Sequence, residues 1–130
     1  MKKLLIVEDD HIMRQFYSIL FQRNGFESFI SDNGDAIIEY LNNEYVSLII
    51  LDINLNNTYL NGKQINGLML LSAIKQIKRC DKIPIVLVTA HTLPLNNDTP
   101  GLSRSNEVWV TKPIANYSEF VNKINSLISN

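Results

Sequence analysis

The chain has one cysteine, one tryptophan, four prolines and five glycines in 130 residues, and neither charge sign is in clear excess. A lone Cys80 cannot close an internal disulfide, so no mark of an oxidising compartment is present. Between Arg79 and Asp81, near an expected helix end, it reads as an incidental thiol. Twelve basic residues stand against thirteen acidic ones, for a formal net charge of -1. The basic excess of proteins that bind nucleic acid by neutralising phosphates is missing, so direct nucleic-acid contact is not expected. The apolar run Leu48 to Leu51, resumed at Ile53, falls far short of the ~20 residues of a membrane span. Met1-Lys2-Lys3 before Leu4 to Val7 imitates the start of a signal peptide, but Glu8-Asp9-Asp10 ends the apolar stretch after four residues. A cytoplasmic location is the expectation. Hydrophobic residues at 45% and charged residues at 19% exclude a disordered chain. The length fits one domain over residues 1–130.

Two periods alternate along the sequence. Leu4 to Val7 is a wholly apolar run of strand length, the pattern of a strand buried on both faces. Ile12, Met13, Phe16, Ile19 and Leu20 follow at helical spacing, with Asp10 as N-cap and Asn24-Gly25 as the stop. Phe26 to Ser31 reads as a second strand. Asp32 or Asn33 then caps a helix carrying Ile37, Ile38 and Leu41. Leu48 to Ile53 is the third strand, and Leu68, Leu71, Ile74 and Ile77 mark the next helix. Ile83 to Val88 is the fourth strand, and Val108 to Val110 sits within a fifth. Phe120, Val121, Ile124, Leu127 and Ile128 give the last helix, with Asn116 and Glu119 in capping-box positions.

Strands alternating with helices imply βαβ units and a parallel sheet covered on both faces. Two stretches break the rhythm. Residues 54–66 hold five Asn and one Gly, which is long for a βα loop of about 2–6 residues. Residues 92–106, where a fourth helix belongs, hold Pro94, Pro100 and Gly101 and no apolar stripe, so a short or irregular element is expected there.

Polar groups collect where the strands end. Glu8 and Asp9 follow the first strand, Asp52 ends the third, Thr89 the fourth, and Lys112 follows the fifth. In an open α/β sheet the binding crevice lies outside the carboxyl ends of the strands, where the winding direction reverses. With strand order 2-1-3-4-5, Asp9 and Asp52 face one another across that crevice. Carboxylates gathered at one mouth repel, and Mg²⁺ relieves the repulsion because it prefers hard oxygen ligands. Lys112 adds a compact positive charge, Thr89 a hydroxyl donor, and an aspartate carboxylate is itself a phosphoryl acceptor. The set reads as an aspartyl-phosphate site with a metal.

At these residues the sequence resembles the response-regulator receiver domain of two-component signalling. The matching pieces are Leu5-Ile6-Val7-Glu8-Asp9-Asp10, Ile49-Ile50-Leu51-Asp52, Val88-Thr89-Ala90 and Val110-Thr111-Lys112-Pro113. They run along the whole chain in the family's order, and the 43 residues from Asp9 to Asp52 suit it. Each tetrapeptide alone is weak evidence; four at the proper strand ends are a strong signal. The resemblance implies a flavodoxin-like, doubly wound sheet of five parallel strands.

It further implies that Asp52 is the phosphoacceptor, with Lys112 and Thr89 holding the phosphoryl group. Mg²⁺ would be bound by Asp9 and Asp52, by Glu8 through water, and by the Asn54 main-chain carbonyl. Thr89 and Trp109 would form the conformational switch, Trp109 standing three residues before the lysine. Asn54 and His91 occupy positions that tune phosphoryl lifetime, and the Lys112-Pro113 bond would be cis. The implied partner is a sensor histidine kinase or a histidine phosphotransfer protein, with an unknown downstream effector. The domain is expected to act as a monomer or weak dimer, and as a phosphoacceptor rather than a turnover enzyme.

Plainer readings stand beside these. Asp52 is also a reasonable cap for the following segment, Trp109 a reasonable half-buried edge-strand aromatic, and His11 a first-turn surface residue. The chain also departs from the family pattern. Gly67, the expected helix start, lies fifteen residues after Asp52, where the family's usual spacing is about eight. The common proline of that loop is missing. The longer loop, with the irregular stretch where the fourth helix belongs, motivates an alternative: a pseudo-receiver serving only as a docking module. A metal-dependent phosphatase with an aspartyl intermediate is a third reading, opposed by Asn54 where a second acid is usual. A flavin-binding protein of the same topology is disfavoured, because Glu8-Asp9 would repel a phosphate there.

Overall fold

The computed structural model describes residues 2–90 and 107–129. His91 and the segment expected to be irregular, 92–106, lie outside the described residues. Strand β1 (Lys2–Val7) leads to helix α1 (His11–Arg23), β2 (Phe26–Ser31) and α2 (Gly34–Asn43). β3 (Leu48–Asp52) is followed by two short strands, β4 (Thr58–Leu60) and β5 (Lys63–Ile65), then α3 (Gly67–Lys75). β6 (Ile85–Thr89), β7 (Glu107–Thr111) and α4 (Tyr117–Ser129) complete the elements.

The central sheet is parallel, in the order β2-β1-β3-β6-β7. Leaving out the β4-β5 pair, this is the expected 2-1-3-4-5. Period-two alternation assigns side chains to the two faces. Leu5, Val7, Ile49, Leu51, Ile85 and Leu87 face one way and pack with Ile37 and Leu41 of α2 and Leu70, Leu71 and Ile74 of α3. Leu4, Ile6, Leu48, Ile50, Val86 and Val88 face the other way, onto Tyr17 and Phe21 of α1 and Phe120, Val121 and Ile124 of α4. Every residue of β3 and β6 is buried, as central strands covered on both faces require.

The caps follow the sequence. Asp10 accepts from the Ile12 and Met13 amides, Asn33 from Ala36 and Asn116 from Glu119. Of the expected stripe on α1, Met13 and Leu20 pack against the cluster shared with α4, but the fully buried residues lie beside them. The structure buries Tyr17 and Phe21 and leaves Ile12 at 74% and Ile19 at 52% exposure, with Phe16 at 36%. Apolar residues occupy both sides of this helix. The aromatic contacts of Phe21 with Phe26 and Phe120 belong to the side that packs.

The long segment after β3 is itself ordered. Thr58–Leu60 and Lys63–Ile65 pair antiparallel around Asn61-Gly62. Both turn residues have positive φ, +53° and +81°, the signature of a type I′ turn. The hairpin sits on the start of α2. The Asn61 amide donates to the Asp35 carboxylate, and a Cβ on Gly34 would lie 2.4 Å from the Tyr59 carbonyl oxygen.

Candidate phosphoacceptor and metal site

Parallel strands deliver their carboxyl ends to one rim of the sheet, and the charged groups meet there. Asp52, the last residue of β3, is 3% exposed. Its Oδ2 accepts from Lys112 Nζ at 2.8 Å and its Oδ1 from the Asn54 amide at 2.8 Å. Glu8, just beyond β1, is 1% exposed and accepts from the Asp10 amide at 3.1 Å. Asp9 is half-buried, and its Oδ2 accepts from the Asn56 and Asn57 amides. Glu8, Asp9 and Asp52 each offer a carboxylate oxygen, and these oxygens all lie within 4.8 Å of one another.

Such a group is electrostatically costly. Burial first, with the neighbouring Asp52 charge adding to it, pushes the Glu8 carboxyl up to about 7. The Asp10 amide and the Lys112 charge act the other way. Tyr17, packed beneath this end of the sheet, has its hydroxyl pushed well above the ordinary range by burial and by Glu8. Three hard oxygen donors, two of them buried, with one lysine set against them fit a divalent cation of the magnesium or calcium kind.

Thr89 ends β6, buried, and its carbonyl accepts from the Lys112 amide at 2.7 Å. The bond after Lys112 is cis, as the resemblance implied. Trp109 lies beside Leu87 in the sheet and is half-buried against the cluster shared with α2 and α3. Asn54 links two loops: its amide reaches Asp52, and its side-chain oxygen accepts from the Ala90 amide at 2.7 Å. The rim thus gathers Glu8, Asp9, Asp52, Asn54, Thr89 and Lys112. Cys80 lies away from it in a short turn after α3, buried, with burial raising its thiol.

Sequence reasoning did not foresee the Asn56 and Asn57 amides at Asp9, nor Gln64, whose side-chain amide donates to the Asn56 carbonyl at 2.5 Å. The Asn61-Gly62 pair between two strand-like triplets was the available signal.

A doubly wound sheet with an acidic cluster and a lysine at its carboxyl rim defines the class of receiver domains. The family model of the response regulator receiver domain matches residues 4–125, and the chain belongs to that family. It is 29% identical over 125 residues to the TorCAD operon transcriptional regulatory protein TorR of Escherichia coli K12, covering 96% of this chain and 49% of that protein. The chain spans about half the length of the curated relatives it matches. Chemotaxis protein CheY4 of Vibrio cholerae superposes with a TM-score of 0.80 at 22% identity, covering 98% of each chain. The receiver domain of sensor histidine kinase PA1611 from Pseudomonas aeruginosa, solved with magnesium coordinated in its active-site cleft, gives 0.79 at 16% identity over 99% of this chain and 98% of that one. Among the described residues no helix is long and apolar enough to cross a membrane.

Proposed function

We propose that residues 1–130 form one receiver domain in which Asp52 accepts a phosphoryl group from a phosphohistidine. The donor is a sensor histidine kinase or a histidine phosphotransfer protein. The observation that carries this reading is the 2.8 Å contact of Lys112 with Asp52 inside a cluster of three carboxylates. Asp9, Asp52, Glu8 through water, and the Asn54 main-chain carbonyl would hold Mg²⁺. When bound, the ion neutralises charge on the transferring phosphoryl oxygens.

The chain's own groups supply the rest. Asp52 contributes the attacking carboxylate oxygen: a new O–P bond forms as the N–P bond of the phosphohistidine breaks, and the imidazole nitrogen leaves. Lys112 already sits within hydrogen-bond reach of that oxygen and takes up a phosphoryl oxygen. The Thr89 hydroxyl donates to another. That charge draws Thr89 toward the rim, and Trp109 repacks on the same face of the sheet, shifting an existing equilibrium. Asn54 and His91 set how long the acyl phosphate survives. The domain signals, as a monomer or weak dimer in the cytoplasm, without direct nucleic-acid contact. The docking-only alternative gains no support from a rim in which these groups converge.

Incubation with a small acyl-phosphate donor and Mg²⁺, read by intact mass, tests this. The unaltered chain should gain ~80 Da, and Asp52→Asn should not. No adduct on the unaltered chain, or an equal adduct on Asp52→Asn, overturns the assignment.

A further inference from the structure

The inserted segment reaches back to the acidic cluster through a continuous set of contacts. The Asn56 and Asn57 amides donate to Asp9 Oδ2 at 2.7 and 3.3 Å. The Asn56 peptide is held from its other side by Gln64, whose side-chain amide donates to the Asn56 carbonyl. Gln64 stands in β5 opposite Tyr59 of β4. The hairpin is anchored in turn on α2 by the Asn61–Asp35 bonds and by the close approach of Tyr59 to Gly34. A path of bonded groups therefore runs from α2, through the hairpin, to one oxygen of Asp9.

Its physical effect follows from where Asp9 is. A half-exposed aspartate samples several rotamers, and ordering it costs free energy when an ion binds. Two amide donors on one carboxylate oxygen are charge-assisted bonds that remove that freedom beforehand. Partners that orient a ligand commonly change metal affinity by about tenfold or more.

We propose that the 54–66 insertion is a positioning clamp on Asp9, with Gln64 as the residue that keeps it closed. It tightens divalent-cation binding at the rim. This rests on the reading of Asp9 as a metal ligand. Gln64 touches neither Asp52 nor the cluster's oxygens directly, so it is a positioning residue.

Calorimetric titration of the full chain with Mg²⁺ tests the clamp. Gln64→Ala should bind Mg²⁺ about 3- to 10-fold more weakly and still accept a phosphoryl group at saturating Mg²⁺. Gln64→Glu, which replaces the donor by an acceptor of similar size, should lose at least as much affinity. Coupling is reciprocal, so in the unaltered chain Mg²⁺ should slow amide exchange at Asn56 and Asn57 several-fold. An affinity for Gln64→Ala within about twofold of the unaltered chain overturns the clamp. If Gln64→Ala does not fold, amide exchange in the unaltered chain decides, and exchange unchanged by Mg²⁺ at both residues overturns it. Failure of the unaltered chain to bind Mg²⁺ overturns the metal reading itself, a separate outcome.

Discussion

Glu8 has almost no contact with solvent, and its carboxyl lies beside that of Asp52, eased by the Lys112 charge and the Asp10 amide. A carboxyl whose pKa is higher in the folded chain than in the unfolded one holds its proton more tightly when folded. Stability therefore falls as pH rises from the ordinary value of 4.5 to about 7, where the unfolded chain has already lost that proton. In a divalent-free buffer the urea midpoint should drop between pH 5 and 8. Mg²⁺ should recover the loss at pH 8, and Glu8→Gln should flatten the dependence. A flat profile for the unaltered, metal-free chain would contradict this. The positions of Glu8, Asp9, Asp52, Thr89 and Lys112 were legible in the sequence because each polar group interrupts or follows an apolar run. The burial of Glu8 was not, since it depends on tertiary packing around the end of β1. Helix α1 shows the same limit: with apolar residues on both sides, packing against Phe26 and Phe120 decides which side goes in.

The elements themselves were largely legible, because caps and periods agreed. Asn33, Asn66 and Asn116 all accept from amides of the first turns they precede. The β4-β5 hairpin is harder to see: Asn-Gly between extended triplets marks it, but five asparagines in one stretch look like a loop. At the start of α3 the packing is tight. A Cβ on Gly67 would lie 2.5 Å from Ile53 Cα and 2.6 Å from the Asp52 carbonyl oxygen, backbone atoms that cannot swing aside. Gly67→Ala should therefore cost at least about 2 kcal/mol and pull the end of β3 out of place. Chemical denaturation measures the first effect and Mg²⁺ affinity the second. An unchanged urea midpoint would show that the helix start is free to retreat.

At the scale of the sheet, the three carboxylates and Lys112 share one rim, and helices pack on both faces behind it. The strand-end residues did not fix the strand order, which came with the resemblance; they agree with it, because β1 beside β3 brings Asp9 next to Asp52. At the opposite end of β7, the Glu107 carboxylate, 1% exposed, is paired with Lys75 from the last turn of α3. Breaking a buried charge pair is expensive, because it strands one charge without solvent. The strand is thus pinned at its foot, while its head, at Thr111 and Lys112, borders the rim. An edge strand held in that way responds like a lever. Beryllofluoride with Mg²⁺ should alter amide exchange least at Val108 and most toward Thr111, with Trp109 fluorescence reporting from the middle; a uniform change along β7 would mean that the foot is no fulcrum.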